Sequence, residues 1–410
     1  MSEGAEMTTT LANSEINNKA KMPIWLRPLN GALNRIEHGT LKIIVADGSV
    51  FTFRGENPGP DGIMIVNNDL SFKRIVREGQ IGFAEAYMDG WWDTPDLQAL
   101  IDMFVQNTSG LRSKIQASWL FGLLQRIGHL LNTNTKRQAK KNISYHYDLG
   151  NEFYGLWLDE TMTYSSALFD GNQDNLSAAQ TRKYASIYDQ IGAGDGAHLL
   201  EIGCGWGGFA EYAAKRGTKV TGLTISQEQH DFAKERMFRQ GLNDKVDIVM
   251  RDYRDEVGRY DGIASIEMFE AVGEKHWPVY FDTVHDRLKE GAKATIQTIT
   301  IADEHFDGYR RSVDFIQKYI FPGGMLPSMG ALEKVTDERG LKISNTLAFG
   351  QSYSQTLRMW FDRFNGCWDE VQALGFDDRF RRMWNFYLTA CAASFRYETT
   401  DVIQMTVTRR

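Results

Sequence analysis

Cysteine is scarce in these 410 residues: Cys204, Cys367 and Cys391 stand far apart, with no C-x-x-C pair. That excludes a disulfide framework and a cysteine zinc site, and it predicts free thiols in a reducing cytosol. The eight histidines form no H-E-x-x-H arrangement, so no metal is expected. No apolar run approaches the ~18 residues of a membrane span. The first 22 residues, MSEGAEMTTTLANSEINNKAKM, lack the apolar core of a secretory signal and read as a disordered tail. Cationic excess is missing too. A formal charge of −7 gives no overall attraction to nucleic acid, which is not expected as a partner, and attraction to an anionic membrane must be local.

One segment inverts that balance. From Met103 to Tyr147 there is no Asp or Glu, yet Arg112, Lys114, Arg126, Lys136, Arg137, Lys140 and Lys141 fall there. Leu120, Leu123, Leu124, Ile127, Leu130 and Leu131 are interleaved at helical spacing. The segment 111–144 therefore reads as a basic amphipathic linker. It suits an anionic membrane surface, and it equally suits an interdomain helix with solvated charges.

Before it, residues 23–110 read as a small α+β domain. LKIIVADGSVFTF is two strands joined at Asp47-Gly48, a strong hairpin signal, GENPGPDG is a loop, and IMIVNN is a third strand. Ser71–Asn107 is helical, and its Trp91-Trp92 pair reads as core. After it, residues 145–410 carry strands at 198–202, 218–224, 246–250, 261–266, 293–299, 342–348 and 402–408, with helices between most of them. Seven strands of this kind predict a doubly wound α/β sheet with an antiparallel last strand, and ligands beyond the C-terminal strand ends. Ala302–Pro327, rich in Phe and Tyr, is predicted as an insertion over that edge.

The chain is organised around HLLEIGCGWGG at His198–Gly208, a buried strand running into a glycine-dense turn and a helix. Gly203, Gly205 and Gly208 fit G-x-G-x-x-G, a pattern shared by NAD, FAD and S-adenosylmethionine folds. A dinucleotide fold places an acid on the next strand for the ribose. Here VTGLTIS closes with Thr224 and Ser226, followed by Gln229, so the nicotinamide reading weakens, and Glu201 suits an adenosylmethionine site.

Several motifs then recur in order: YHYDLGNEFY, MTYSSALF, LLEIGCGWGGFAEYAA, GLTISQEQ, RDYRD, MFEAVG, KYIFPGGMLPS and SFR. In these the chain resembles the cyclopropane-fatty-acyl-phospholipid synthases and mycolic acid methyltransferases, from about Ile81 to the C-terminus. The resemblance implies a seven-stranded, Rossmann-like methyltransferase fold. It implies S-adenosylmethionine as methyl donor and unsaturated membrane phospholipids as acceptors. It also implies a cytoplasmic enzyme peripheral to the inner membrane, and it allows a homodimer. Tyr164, Ser165, Gly203, Gly205, Thr224, Ile225, Gln229, Asp252 and Tyr253 match the donor-binding positions. Glu270, Tyr353 and Ile299 match a pocket that holds bicarbonate as general base.

Two positions depart from the family pattern. Ser166 stands where cysteine is usual, and Gln297 where histidine is usual; Ala271 is a milder change. Serine keeps its backbone N–H, whereas Gln297 donates a hydrogen bond without carrying charge. The product therefore stays open. Loss of a proton from the added methyl of the first-formed cation closes a cyclopropane, and a different course of proton loss leaves a methyl- or methylene-branched chain.

Overall fold

The computed structural model describes residues 21–107, 149–171 and 175–410. Residues 1–20 of the expected tail (1–22) and the basic linker (111–144) lie outside the described residues. The chain forms two compact units, one from Met1–Gln125 with Phe376–Ala393, the other from Arg126–Gly375 with Ser394–Arg410. The stretch Phe376–Ala393, assigned from sequence to 145–410, thus groups with the N-terminal unit.

The first unit contains β1 (His38–Ile44), β2 (Val50–Arg54), β3 (Asn57–Val66) and β4 (Trp92–Asp93), in the sheet order β2-β1-β3-β4. The β1–β2 hairpin closes where Asp47-Gly48 predicted it: Gly48 has φ 81° and donates to the Val45 carbonyl at 2.8 Å. The expected loop at Gly55–Gly62 is a correction, because β3 begins at Asn57 and pairs with β1. Pro58 and Pro60 are tolerated there because β4 reaches only Ile65 and Val66, which among the described residues leaves the other edge of that stretch unpaired. Trp92 is core, with its indole N–H donating to the Phe83 carbonyl at 2.9 Å.

The second unit carries β5 (His198–Ile202), β6 (Lys219–Thr224), β7 (Val246–Met250), β8 (Tyr260–Ile266), β9 (Leu288–Ile301), β10 (Leu341–Ala348) and β11 (Thr400–Arg409). Their order is β10-β11-β9-β8-β5-β6-β7, and β11 runs antiparallel to both neighbours. Neighbouring residues on β5 point to opposite faces. Leu200 and Ile202 join Phe269, Trp277, Phe281 and Ile296 on one side, and Leu199 joins Ile187, Phe209, Val220 and Ile248 on the other. Burial on both faces explains why β5 reads as an apolar run. Helix Gln227–Arg239 starts at Ser226, whose side chain caps it, and helix Leu176–Ile191 is capped by Asn175. The Ala302–Pro327 insertion holds short helices Asp303–Tyr309 and Phe315–Tyr319, and Met325 N–H anchors its end to the Glu270 carbonyl at 2.8 Å. Among the described residues no helix is long and apolar enough to cross a membrane.

Candidate active site

The glycine turn follows β5 at the C-terminal edge of the sheet. Gly203 (φ 80°) and Gly205 (φ 52°) both adopt left-handed backbone, which glycine reaches without strain. A Cβ on Gly203 would lie 2.6 Å from Met268 Cγ, whereas one on Gly205 meets nothing within 4 Å. The turn is thus closed on its Met268 side and open at Gly205, as a cradle for a ligand requires. Glu201 does not face that opening as a free acid: it is buried, accepts the Ala210 backbone N–H, and burial pushes its pKa up to about 8.

Further donor-matching residues lie at the ends of the next strands. Thr224 ends β6, and its hydroxyl donates to Gln229 Oε1 at 3.0 Å, fixing the glutamine on the first turn of the following helix. Ile225 stands between them. After β7, the Asp252 carboxylate accepts from Arg254 backbone N–H at 3.0 Å and from its guanidinium at 2.6 and 2.8 Å. Tyr253 packs edge-on against Tyr280 at 5.5 Å. Tyr164 lies among Tyr154, Trp157 and Trp360, with ring centroids 5.2 to 5.7 Å away. Ser165 is buried, and its hydroxyl accepts from Lys183 Nζ at 2.8 Å. These groups fit an adenosine and amino-acid moiety laid over the ends of β5, β6 and β7.

Next to this edge, the residues matched to the base pocket come together around two buried carboxylates. Glu270 Oε1 accepts from Ile299 N–H at 2.6 Å and from the Thr298 hydroxyl at 3.0 Å. Its Oε2 is buried and has no partner among the described residues. Ser166, Gln297 and Tyr353 converge instead on Glu267, a residue the sequence reading did not single out. Glu267 Oε1 accepts from Ser166 N–H and Gln297 Nε2, each at 2.8 Å, and Oε2 accepts from the Tyr353 hydroxyl at 2.6 Å. The Ser166 hydroxyl turns away to its neighbour's carbonyl, so only the backbone serves the site.

The Gln297 amide is held in this orientation from behind. Gln404 Nε2 donates to Gln297 Oε1 at 3.1 Å, and Gln404 Oε1 accepts from Ser186 and Gln190 at 2.6 Å each. Glu267 itself has φ 48°, a left-handed backbone that costs a non-glycine residue ~1–2 kcal/mol. A strained, buried acid persists only when its surroundings hold it there.

Electrostatics separate the two acids. Burial, then the charge of Glu267, push Glu270 up to about 8. Burial also raises Glu267, but Tyr353, Gln297, the Lys183 charge and Ser166 N–H all act against it. Glu267 is therefore the better-stabilised anion of the pair, and Glu270 is the member pushed toward its protonated form. Lys183, fully buried, is lowered to about 7 by desolvation against the opposing pull of Glu267, Asp159 and Glu201.

Neither Glu267 nor Lys183 was found from sequence, although both had a signal. Glu267 lies three residues before Glu270, directly after the buried run of β8. Lys183 follows Leu176 and Ala179 and precedes Ile187 on the buried face of its helix.

The sequence model of the family described as mycolic acid cyclopropane synthetase matches residues 134–405. The chain belongs to that family. It is 37% identical over 380 residues to tuberculostearic acid methyltransferase UfaA1 of Mycobacterium tuberculosis, covering 91% of this chain and 88% of that one. It is equally 37% identical over 354 residues to the cyclopropane-fatty-acyl-phospholipid synthase of Escherichia coli K12, covering 85% and 88%. The crystal structure of mycolic acid cyclopropane synthase CmaA1 complexed with SAH and CTAB superposes with a TM-score of 0.60 at 28% identity, over 65% of this chain and 97% of that one. The family member described here is an S-adenosylmethionine-dependent methyltransferase acting on lipids or fatty acids.

Proposed function

We propose that the enzyme adds a one-carbon unit to the double bond of unsaturated phospholipid acyl chains, giving cyclopropane fatty acids. S-adenosylmethionine, when bound, supplies an electrophilic sulfonium methyl. The Gly203–Gly205 turn, Thr224, Ile225, Gln229, Asp252 and Tyr253 bind it, and Tyr164 and Ser165 orient it. An alkene is a weak nucleophile, so alignment of the two reactants supplies much of the rate. Methyl addition leaves a cation on the acyl chain, which needs nearby negative charge and then a base. The buried Glu267–Glu270 pair carries this reading, because it provides both beside the glycine turn, with Met268 reaching from the same loop toward Gly203. A small amine or hydroxyl acceptor forms no such cation and has no use for a second buried acid.

A second product has its own support. If a hydride shifts on the acyl chain before the methyl loses its proton, an exocyclic methylene forms in place of a ring. Gln297 and Ser166 alter the surroundings of the base, and base placement decides between ring and branch. We further propose that 111–144 holds the enzyme on an anionic membrane surface at the cytoplasmic face of the inner membrane.

Incubation with labelled donor and monounsaturated phospholipid vesicles, followed by mass analysis of the acyl chains, tests the reaction. Label in a ring or a methylene branch is expected, and absence of label from acyl chains overturns the reading. Charge reversal of Lys136, Arg137, Lys140 and Lys141 to glutamate should weaken vesicle binding, each cation contributing about 1 kcal/mol on an anionic surface. Equal binding of the native chain to neutral and anionic vesicles would favour an interdomain role for that segment.

A further inference from the structure

We infer that Glu267 is itself the general base of the reaction, so that turnover requires no external bicarbonate. The inference rests on the methyl transfer proposed above and concerns only where the proton goes.

Ser166 N–H, Gln297 Nε2 and the Tyr353 hydroxyl are the donors that an external anion would need, and all three already serve the Glu267 carboxylate at 2.6 to 2.8 Å. A carboxylate accepts about four hydrogen bonds. Two of these donors reach Oε1 and one reaches Oε2, so Oε2 keeps a lone pair for a proton. The site is built around this side chain. Gln404, Ser186 and Gln190 hold the Gln297 amide with its N–H2 toward Glu267, and the strained φ of 48° is retained with an acid in place. Glu270 Oε2, buried and unpartnered among the described residues, marks the polar wall on the other side of the pair.

The step balances without any other reactant. The alkene π pair forms the new carbon–carbon bond to the methyl, and the carbon–sulfur pair stays on sulfur, giving S-adenosylhomocysteine. The acyl cation then loses a proton from the added methyl to Glu267 Oε2, and the C–H pair becomes the ring bond or, after a hydride shift along the acyl chain, the methylene π bond. The proton is released to solvent before the next turnover.

The test measures methyl transfer to monounsaturated phospholipid vesicles in buffer depleted of carbon dioxide, with and without added bicarbonate. The native enzyme should be indifferent to bicarbonate. Glu267→Gln should lose about 10²–10⁴-fold of turnover, the usual worth of a positioned base, with unchanged affinity for S-adenosylhomocysteine by calorimetry. Glu267→Gly removes the acid and relieves the backbone, so it should fold at least as stably. It should also bind ¹³C-bicarbonate by NMR, where the native protein does not, and recover turnover when bicarbonate is added. Dependence of the native enzyme on bicarbonate, bicarbonate binding to the native protein, or full activity of Glu267→Gln would each overturn the inference. If the native enzyme labels no acyl chain, it is the proposed reaction that fails, and the NMR comparison still decides which anion occupies the site.

Discussion

Each unit of this protein buries acidic side chains, and the two treat them in opposite ways. In the N-terminal unit Glu85, 5% exposed, is paired with Arg74, which also reaches Asp89 at 2.6 Å; Arg379 meets Asp89 at 2.9 Å. Asp89 is an exposed neighbour of that pair, and although partial desolvation works against its charge, the hydrogen bonds and charges of Arg74 and Arg379 hold its carboxyl below the usual range. In the catalytic unit Glu267 and Glu270 receive hydrogen bonds from amides and hydroxyls, and their pKa values rise. Glu85 and Asp89 are both neutralised by arginine, so these two acids have only structure to maintain. Acids left without a matched cation are poised to move protons, and this is why shifted carboxylates mark functional sites.

The contrast breaks most sharply at Glu270. Glu270→Ala should reduce methyl transfer by at least about 10²-fold, because it takes the carboxylate acceptor from Ile299 N–H and leaves the Thr298 hydroxyl only the Ile299 carbonyl at 3.4 Å, and it opens the wall beside the base. Glu270→Gln imitates the protonated acid and should keep most activity at pH 7. Steady-state assays of both variants check this, and equal inactivity would mean that Glu270 acts as an anion.

Arg74→Ala probes the opposite region. It leaves Glu85 buried without its cation and should cost about 3 kcal/mol in denaturant unfolding, near the low end for breaking a buried pair. Calorimetric affinity for S-adenosylhomocysteine should not change. A loss of donor binding would show that the N-terminal charges are not merely structural.

The pH dependence of stability sharpens the comparison further. Between about 4.5 and 8 the folded chain keeps the Glu270 proton that the unfolded chain has released. Stability therefore falls as pH rises through this window, with a slope from this group of at most ~1.4 kcal/mol per unit. Asp89, shifted down, contributes stability that is lost only as pH falls through its folded pKa. Unfolding midpoints from pH 5 to 7.5 should show a shallower fall for Glu270→Gln than for the native protein.

Tyr353→Phe should have the smallest effect. Losing one hydrogen bond to Glu267 should lower turnover about fivefold, within the net worth of such a bond. It also removes an influence that holds the Glu267 pKa down, so the acidic limb of the pH–rate profile should move to higher pH. An unshifted profile would place the titrating base elsewhere.

The legible parts of this protein are those where one local pattern has one physical cause. The central strands β5, β6 and β8 follow from their buried runs, because strands covered on both faces are apolar almost throughout, whereas the edge strand β10 is mostly exposed. The hairpin at Asp47-Gly48 follows from its turn residues, and the donor edge from the glycines after β5. The loop expected at Gly55–Gly62 failed because local propensity says nothing about an unpaired edge, where Pro58 and Pro60 can stay in a strand. The proposed base pocket was legible as a set of donors. Its occupant was not, since Glu267 looked like any acid at the end of a strand.

By itself, then, the amino-acid order determined the family, the sheet and the glycine turn of the proposed methyl-donor edge, because each is written in residues close together along the chain. Only the tertiary structure decided what the pocket donors hold. Ser166, Glu267, Gln297, Tyr353 and Gln404 come from five separate stretches, and the sheet order β11-β9-β8 is what brings the last strand's Gln404 onto Gln297 and Gln297 onto Glu267. The protonation of Glu270 belongs to the same level. A carboxyl's charge is set by burial and by the charges packed against it, and those exist only once the chain has folded.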